Sequence, residues 1–402
     1  MSERLQAGES RSRLTSLTGT RFLAVMTVFL YHAILYGGFF SSAPAQGLLG
    51  TVIASGGFAS VVFFFVLSGF VLSWSVRETD SIPGFWRRRV AKIFPNHLVT
   101  TAAAFILGAV VVGTAVDFSS VINFALLHSW VPDLAIAFRG NLISWSLSCE
   151  LLFYLAFPFL FMLIKRVPEN RLWLLAGGLV AGVWLMPVLA NLIPPSSALA
   201  SAAVTPGLDL TMWQHWFVSV FPPVRMIEFV LGMVLAQIVR TGRTLPLSIG
   251  GATAIAIAMY ALTPLFPGPY RIAATMVAPI GLILFTLATA DVAARPSVFS
   301  GRTMVFLGEI TFAFYLLHWL VLDYGHRLLG TTWSTPAALA VLALLCLTTV
   351  ALSSALYFGV ERPIMSRFGS SRRAKLARVI KLPTAVDKAE NPGPGAVDRL
   401  AG

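Results

Sequence analysis

Ten apolar segments dominate this chain, near residues 18–38, 56–76, 97–115, 144–164, 172–191, 217–239, 246–264, 272–290, 304–324 and 336–358. At about 20 residues, each can cross roughly 30 Å of hydrocarbon as helix. Backbone polar groups in lipid must find partners inside the protein, which restricts such segments to helices. The chain is 57% hydrophobic and 11% charged, whereas soluble domains carry about 25% charged residues. The pattern predicts an all-α, polytopic transmembrane helical bundle of about ten spans. A further apolar stretch, 120–131, is too short to cross and reads as a re-entrant or interfacial segment.

The net charge of +12 points to orientation rather than to nucleic acid once the charges are placed. Connections on the side of the termini hold Arg4, Arg11, Arg13, Arg77, Arg87, Arg88, Arg89, Lys92, Lys165, Arg166, Arg171, Arg240, Arg243, Arg295 and Arg302, followed by the basic residues after Glu361. The opposite connections hold Arg139, Arg271 and Arg327. Lys and Arg accumulate in cytoplasmic loops, so both termini are expected in the cytoplasm and the chain is expected to be multi-pass in the plasma membrane. Residues 1–17 form a basic cytoplasmic segment with no cleavable signal, 18–365 the membrane domain, and 366–402 a basic tail rich in Pro, Gly and Ala. A tail of that composition is expected to be disordered, with its cations on anionic lipid. Cys149 and Cys346 both lie in apolar segments, which argues against a disulfide framework or a thiolate metal site.

Ionisable residues inside spans are costly and usually face a bundle interior or a pathway. Glu150 sits in S-W-S-L-S-C-E-L-L-F-Y, and the first span holds Arg21 and His32. Eleven positions separate those two, which leaves them on one helix face. At 1.5 Å per residue, His32, Glu150 and His318 all come out about 21 Å from the cytoplasmic side, with Arg225 slightly shallower. That shared level suggests one site. A buried imidazole beside a carboxylate is the usual general-base pair for abstracting a hydroxyl proton, and no placed Cys, Ser or Lys suggests a covalent intermediate. Direct transfer in a ternary complex is the economical route. His318 also reads as a hydrogen-bonding strut between helices. Arg225 reads as a partner of Glu150 or, preferably, of Glu228 in an i,i+3 salt bridge. The loop F-W-R-R-R-V-A-K-I-F-P clusters Arg87, Arg88, Arg89 and Lys92, as positive-inside signal or as a clamp for a phosphate-bearing donor.

These motifs resemble those of the membrane acyltransferases called acyltransferase 3. R-F-L-A-V-M-T-V-F-L-Y-H resembles that family's signature of Arg, ten residues, His at Arg21 and His32. F-F-F-V-L-S-G-F at 63–70, R-R-R-V-A-K-I-F-P at 87–95 and S-W-S-L-S-C-E-L-L-F-Y at 144–154 are similar to its next three motifs. G-E-I-T-F-A-F-Y-L-L-H at 308–318 and F-G-V-E-R-P at 358–363 resemble its last two. Lys92 stands where Arg is usual, and Leu151 where many members have a second acid. The resemblance implies ten spans, acyl-CoA as co-substrate with no bound cofactor or metal, and an O-acyl product. It also implies that Arg21 and His32 are essential, with Glu150 and the basic loop of Arg87, Arg88, Arg89 and Lys92 in support, the loop binding the donor. Together with the depth reading this makes His32 and Glu150 the expected catalytic pair, with Arg21, His318, Tyr154 and Arg225 as candidate support.

The resemblance implies two acceptor classes, surface glycans and macrolide- or ansamycin-type natural products. A chain close to the minimal core, with Ala-, Val-, Leu-, Gly- and Arg-rich usage, favours the small natural product over a glycan sugar. A proton-coupled transporter also places His and Glu at mid-membrane, but transporter folds show internal repeats and broken helices in matching halves, and neither is evident here. The orientation has a direct test. Cysteines introduced at Ser197 and Ser371 should react oppositely with an impermeant thiol reagent on intact cells, and equal labelling contradicts the ten-span topology.

Overall fold

A computed structural model describes residues 14–36, 39, 48–76, 81–115, 117–194, 208, 210–295, 297–330 and 333–368. Residues 369–402, most of the expected tail, lie outside the described residues, as do 1–13 and 195–207.

The chain is a bundle of helices, as the hydropathy predicts. The first span is α1 (Thr15–Leu35), followed by α2 (Leu48–Ser75) and α3 (Ile82–Leu107), which runs into a wider turn over Gly108–Val112. Short helices α4 (Phe118–Phe124) and α5 (Leu134–Ala137) precede α6 (Trp145–Ile164) and α7 (Leu172–Ala190). Another short helix, α8 (Met212–His215), leads into α9 (Pro222–Arg240). Then come α10 (Ile249–Leu262), α11 (Gly268–Ile272), α12 (Ala274–Val292), α13 (Arg302–Glu309), α14 (Thr311–Leu329), α15 (Thr335–Leu356) and α16 (Arg362–Phe368). Among the described residues eight helices are long and apolar enough to cross a membrane, or nine if α13 and α14, bent by 63°, count as one. The remaining apolar segment, 246–264, forms only the shorter helix Ile249–Leu265. Every expected span thus has its helix, and the chain is a multi-pass membrane protein.

Two boundaries differ from the sequence reading. The basic stretch 87–92 is not a loop but the second and third turns of α3. Ser81 caps that helix by accepting from Gly84 N at 3.2 Å, and Pro83 stands at its first positions, where a missing N–H costs nothing. The stretch 120–131 becomes α4 and a short turn at His128–Trp130 within a buried polar network. In it Asn123 Nδ2 donates to Arg139 O at 2.7 Å, and Ser144 Oγ shares a hydrogen bond with His128 Nε2 at 3.2 Å. Burial, with His97 nearby, pushes the His128 imidazole down to about 4, so it serves this network as a neutral group.

The core is the crossing of α2 with α9, flanked by α1, α6, α7 and α12. Lipid is as apolar as leucine, so membrane helices associate by close packing at small residues. Gly69 and Gly232 provide that approach: a Cβ on Gly232 would stand 1.8 Å from Val66 O, and one on Gly69 1.9 Å from Phe229 O. At the far side α13 lies against α1, where a Cβ on Gly308 would stand 1.9 Å from Thr18 O. The start of α1 is fixed by Asp291, which accepts from Ser16 N at 2.9 Å and Ser16 Oγ at 2.5 Å. Gly232→Ala should therefore lower the melting temperature in detergent, at a cost of about 1–3 kcal/mol. Gly178→Ala, where nothing lies within 4 Å of the new methyl, should leave it unchanged.

Candidate functional site

A cavity of about 140 Å³ opens between α1, α2, α3, α6, α13 and α14, and its polar wall is Arg21, Ser68, Lys92, Ser146, Glu150, Tyr154, Glu309 and Tyr315. Phe64, Phe65 and Phe312 supply apolar lining. Glu150 and Tyr154 are one turn apart on α6, and the Tyr154 hydroxyl donates to Glu150 Oε2 at 3.1 Å. Arg21, Lys92 and Arg89 all act on the Glu150 charge. The cavity wall thus sets two cations, Arg21 and Lys92, with two carboxylates, Glu150 and Glu309.

The basic turns of α3 reach this wall from one end of the bundle. Trp86 Nε1 donates to Tyr154 O at 3.1 Å, which fixes α3 against α6. The Arg89 guanidinium lies 5.8 Å from the Tyr154 ring centre and 5.6 Å from that of Phe85. Lys92 is ion-paired with Glu361 of the F-G-V-E-R-P motif, and Asn96 Nδ2 donates to Glu361 Oε2 at 2.6 Å. Lys92 therefore both lines the cavity and ties α3 to the last helices. Arg87, Arg88 and Arg89 lie on the same turns but do not line it; Arg87 is exposed, and Arg88 and Arg89 are half-buried.

His32 and His318 form a separate centre. His32 Nδ1 lies 3.1 Å from His318 Nε2, and His318 Nδ1 lies 2.6 Å from Tyr315 O. Both imidazoles are buried, and the rings of Tyr31, Tyr36 and Trp319 pack around His32 with centres 4.8–5.9 Å away. Neither imidazole lines the cavity. Tyr315 separates the two: its ring lines the cavity, stands 5.7 Å from the His318 ring, and its hydroxyl bonds Ser146 Oγ at 2.9 Å.

The structure corrects the expected common level. Asn141 Nδ2 donates to Leu316 O at 2.9 Å, which sets His318 alongside the start of the 142–144 turn. Glu150 lies nine residues further along, or roughly 13 Å at helical rise. The depth count assumed that α6 begins at the membrane surface. Instead residues 118–144 fold over that end, and Asn141 and Ser144 are buried. His32 is consequently paired with a second imidazole, and Glu150 is grouped with cations.

Arg225 is not at the cavity. It pairs with Glu228 at 3.0 Å, each side chain 1% exposed, and donates to Val218 O at 3.4 Å. Its guanidinium backs the cavity-lining Phe65 at 5.2 Å, a supporting role. Tyr315, Glu309 and Glu361 sit in quoted motifs without a role of their own in the sequence, Asn96 lies just past one, and Ser68, in F-F-F-V-L-S-G-F, reads there as a helix-packing residue. Their chain positions carry no signal of what they face. Among the described residues no group of three His, Cys, Asp or Glu could hold a metal ion.

Comparison with known proteins places this geometry. A family described as "Acyltransferase domain" matches residues 14–358. The chain is 40% identical over 376 residues to acyltransferase MdmB of Streptomyces mycarofaciens, covering 90% of this chain and 94% of that one. It is 25% identical over 365 residues to peptidoglycan O-acetyltransferase OatA of Listeria monocytogenes, spanning 80% of this chain and 51% of that one. It is 25% identical over 331 residues to exopolysaccharide production protein ExoZ of Rhizobium meliloti, with 79% and 92% covered. No solved structure matches the chain.

The role given to Arg225 can be checked by removal. Arg225→Leu leaves the Glu228 carboxylate buried without its partner, a loss of about 3–5 kcal/mol, while Arg225→Met with Glu228→Leu should recover most of the lost melting temperature. Failure of the double variant to recover would show that Arg225 does more than pair with Glu228.

Proposed function

The chain belongs to the acyltransferase family over residues 14–358, and from that premise we propose that it moves an acyl group from acyl-CoA to a hydroxyl of a small natural product of the macrolide or ansamycin type. The observation that carries this reading is the cavity that meets the basic turns of α3 at one end and Tyr315 at the other, with an imidazole pair behind that tyrosine. A phosphate-bearing donor suits the basic turns of α3, because guanidinium groups bind phosphate bidentately. The pantetheine arm then follows the wall of Arg21, Glu150 and Tyr154, and brings the thioester towards Tyr315. His32 takes the proton of the acceptor hydroxyl as its oxygen attacks the thioester carbonyl. The C–O bond forms, the C–S bond breaks, and the proton passes to the departing thiolate. No covalent acyl-enzyme is needed.

The basic end of the bundle faces the cytoplasm, where acyl-CoA is made, and the protein resides in the plasma membrane with both termini inside. The acceptor assignment is supported by the degree of likeness. Identity is 40% to the Streptomyces acyltransferase and 25% to each protein whose name states a surface polymer.

Purified protein in lipid nanodiscs, given acyl-CoA and a panel of hydroxylated macrolides and of oligosaccharides, tests both halves. Ester formation on a macrolide is expected; transfer to glycan sugars alone overturns the acceptor, and no transfer from any acyl-CoA overturns the donor. Arg88→Ala and Arg89→Ala should each raise KM for acyl-CoA roughly 10- to 150-fold, the range for losing one charge-assisted hydrogen bond, with acceptor KM unchanged. A change confined to expression level would reduce the motif to a topology signal.

A further inference from the structure

The two imidazoles are not equivalent, and their hydrogen bonds decide which one carries the reactive lone pair. A carbonyl oxygen only accepts, so at 2.6 Å from Tyr315 O it is His318 Nδ1 that bears a proton. A neutral imidazole has one donor and one acceptor nitrogen, which makes His318 Nε2 an acceptor. The nitrogen facing it at 3.1 Å, His32 Nδ1, must then donate. His32 is left with an unprotonated Nε2.

We propose that His318 is a positioning residue that locks His32 into its Nδ1–H tautomer, and that His32 Nε2 takes the acceptor's proton. The inference rests on the acyl-transfer reading of this site. A histidine base is commonly oriented by a bond at its other ring nitrogen, and the partner is usually a carboxylate or a backbone carbonyl. Here the chain Tyr315 carbonyl, His318, His32 delivers the same constraint with no formal charge, in a part of the bundle where Glu150 is roughly 13 Å away along the helix axis. Three features hold the chain in register. Asn141 bonds the Leu316 carbonyl next in sequence, the Tyr315 hydroxyl bonds Ser146, and Phe314 stacks on His318 at 6.1 Å. His318 is fully buried and both its nitrogens are engaged, which suits it to orient rather than to react.

The same geometry gives Tyr315 two duties. Its carbonyl sets the tautomer of the pair while its ring closes the cavity, so the donor wall and the base are built on one residue.

The chain has six histidines, few enough for nitrogen NMR of the whole protein labelled with ¹⁵N-histidine in nanodiscs, with His32→Asn identifying the His32 signals. The substrate-free protein at neutral pH should show a one-bond proton coupling at His32 Nδ1 and none at Nε2. A proton on Nε2, or on both nitrogens, overturns the proposal. Because this spectrum needs no substrate, it stands or falls separately from the acyl-transfer reading. In the transfer assay His318→Leu should lower kcat about 10- to 100-fold, as losing the outer partner of an oriented histidine does elsewhere, with both KM values unchanged. His318→Gln, whose amide oxygen can accept from His32 Nδ1, should restore most of it. A His318→Leu enzyme with full kcat, or a Gln variant no better than Leu, contradicts the positioning role.

Discussion

Polar groups buried among apolar helices must be paired, and in this protein the pairs that satisfy that requirement also assemble the site. Lys92 and Glu361 join the basic helix α3 to the last helices of the chain, with Asn96 taking the second carboxylate oxygen. Arg225 and Glu228 neutralise each other behind the cavity wall. Asp291 holds the first turn of α1, the helix that carries both Arg21 and His32. Breaking any of these leaves a charge or donor stranded in a medium where that costs several kcal/mol. The cavity is thus a by-product of how charges are compensated, and its walls cannot drift without exposing one of them.

The cavity and the imidazole pair behind Tyr315 differ in chemistry. Towards α3 the lining is charged, with Arg21 and Lys92 among the carboxylates of Glu150 and Glu309. Beyond Tyr315 the surroundings of His32 are aromatic, with Tyr31, Tyr36 and Trp319 about the imidazole. Tyr315 stands between these two environments, its ring on the cavity side and its carbonyl bonded to His318.

Much of the fold was legible because hydropathy is a property of single segments. Each apolar run became a helix, although 246–264 proved short and 304–324 broke at Ile310. Legibility failed where the answer depended on neighbours. The helix start at Ile82 needed the Ser81 cap to be recognised, since α3 begins in polar sequence. The level of Glu150 is not legible because residues 118–144 fold over that end of α6, and nothing in hydropathy reports that. The sequence puts His32 and His318 at one depth, but their mutual contact joins positions 286 residues apart, which no single segment reports. Tyr315 escaped notice because a tyrosine in an apolar helix looks like packing until its carbonyl and ring are seen facing different partners.

The central claim is that donor and base meet across Tyr315. A cryo-EM structure of the full chain in nanodiscs with a non-transferable thioether analogue of acyl-CoA tests it most directly. The account predicts phosphates on the α3 arginines, the pantetheine arm along Arg21, Glu150 and Tyr154, and the acyl end beside Tyr315 on the side of His32. A donor bound at the opposite end of the bundle, or one whose acyl group lies away from Tyr315, would contradict it.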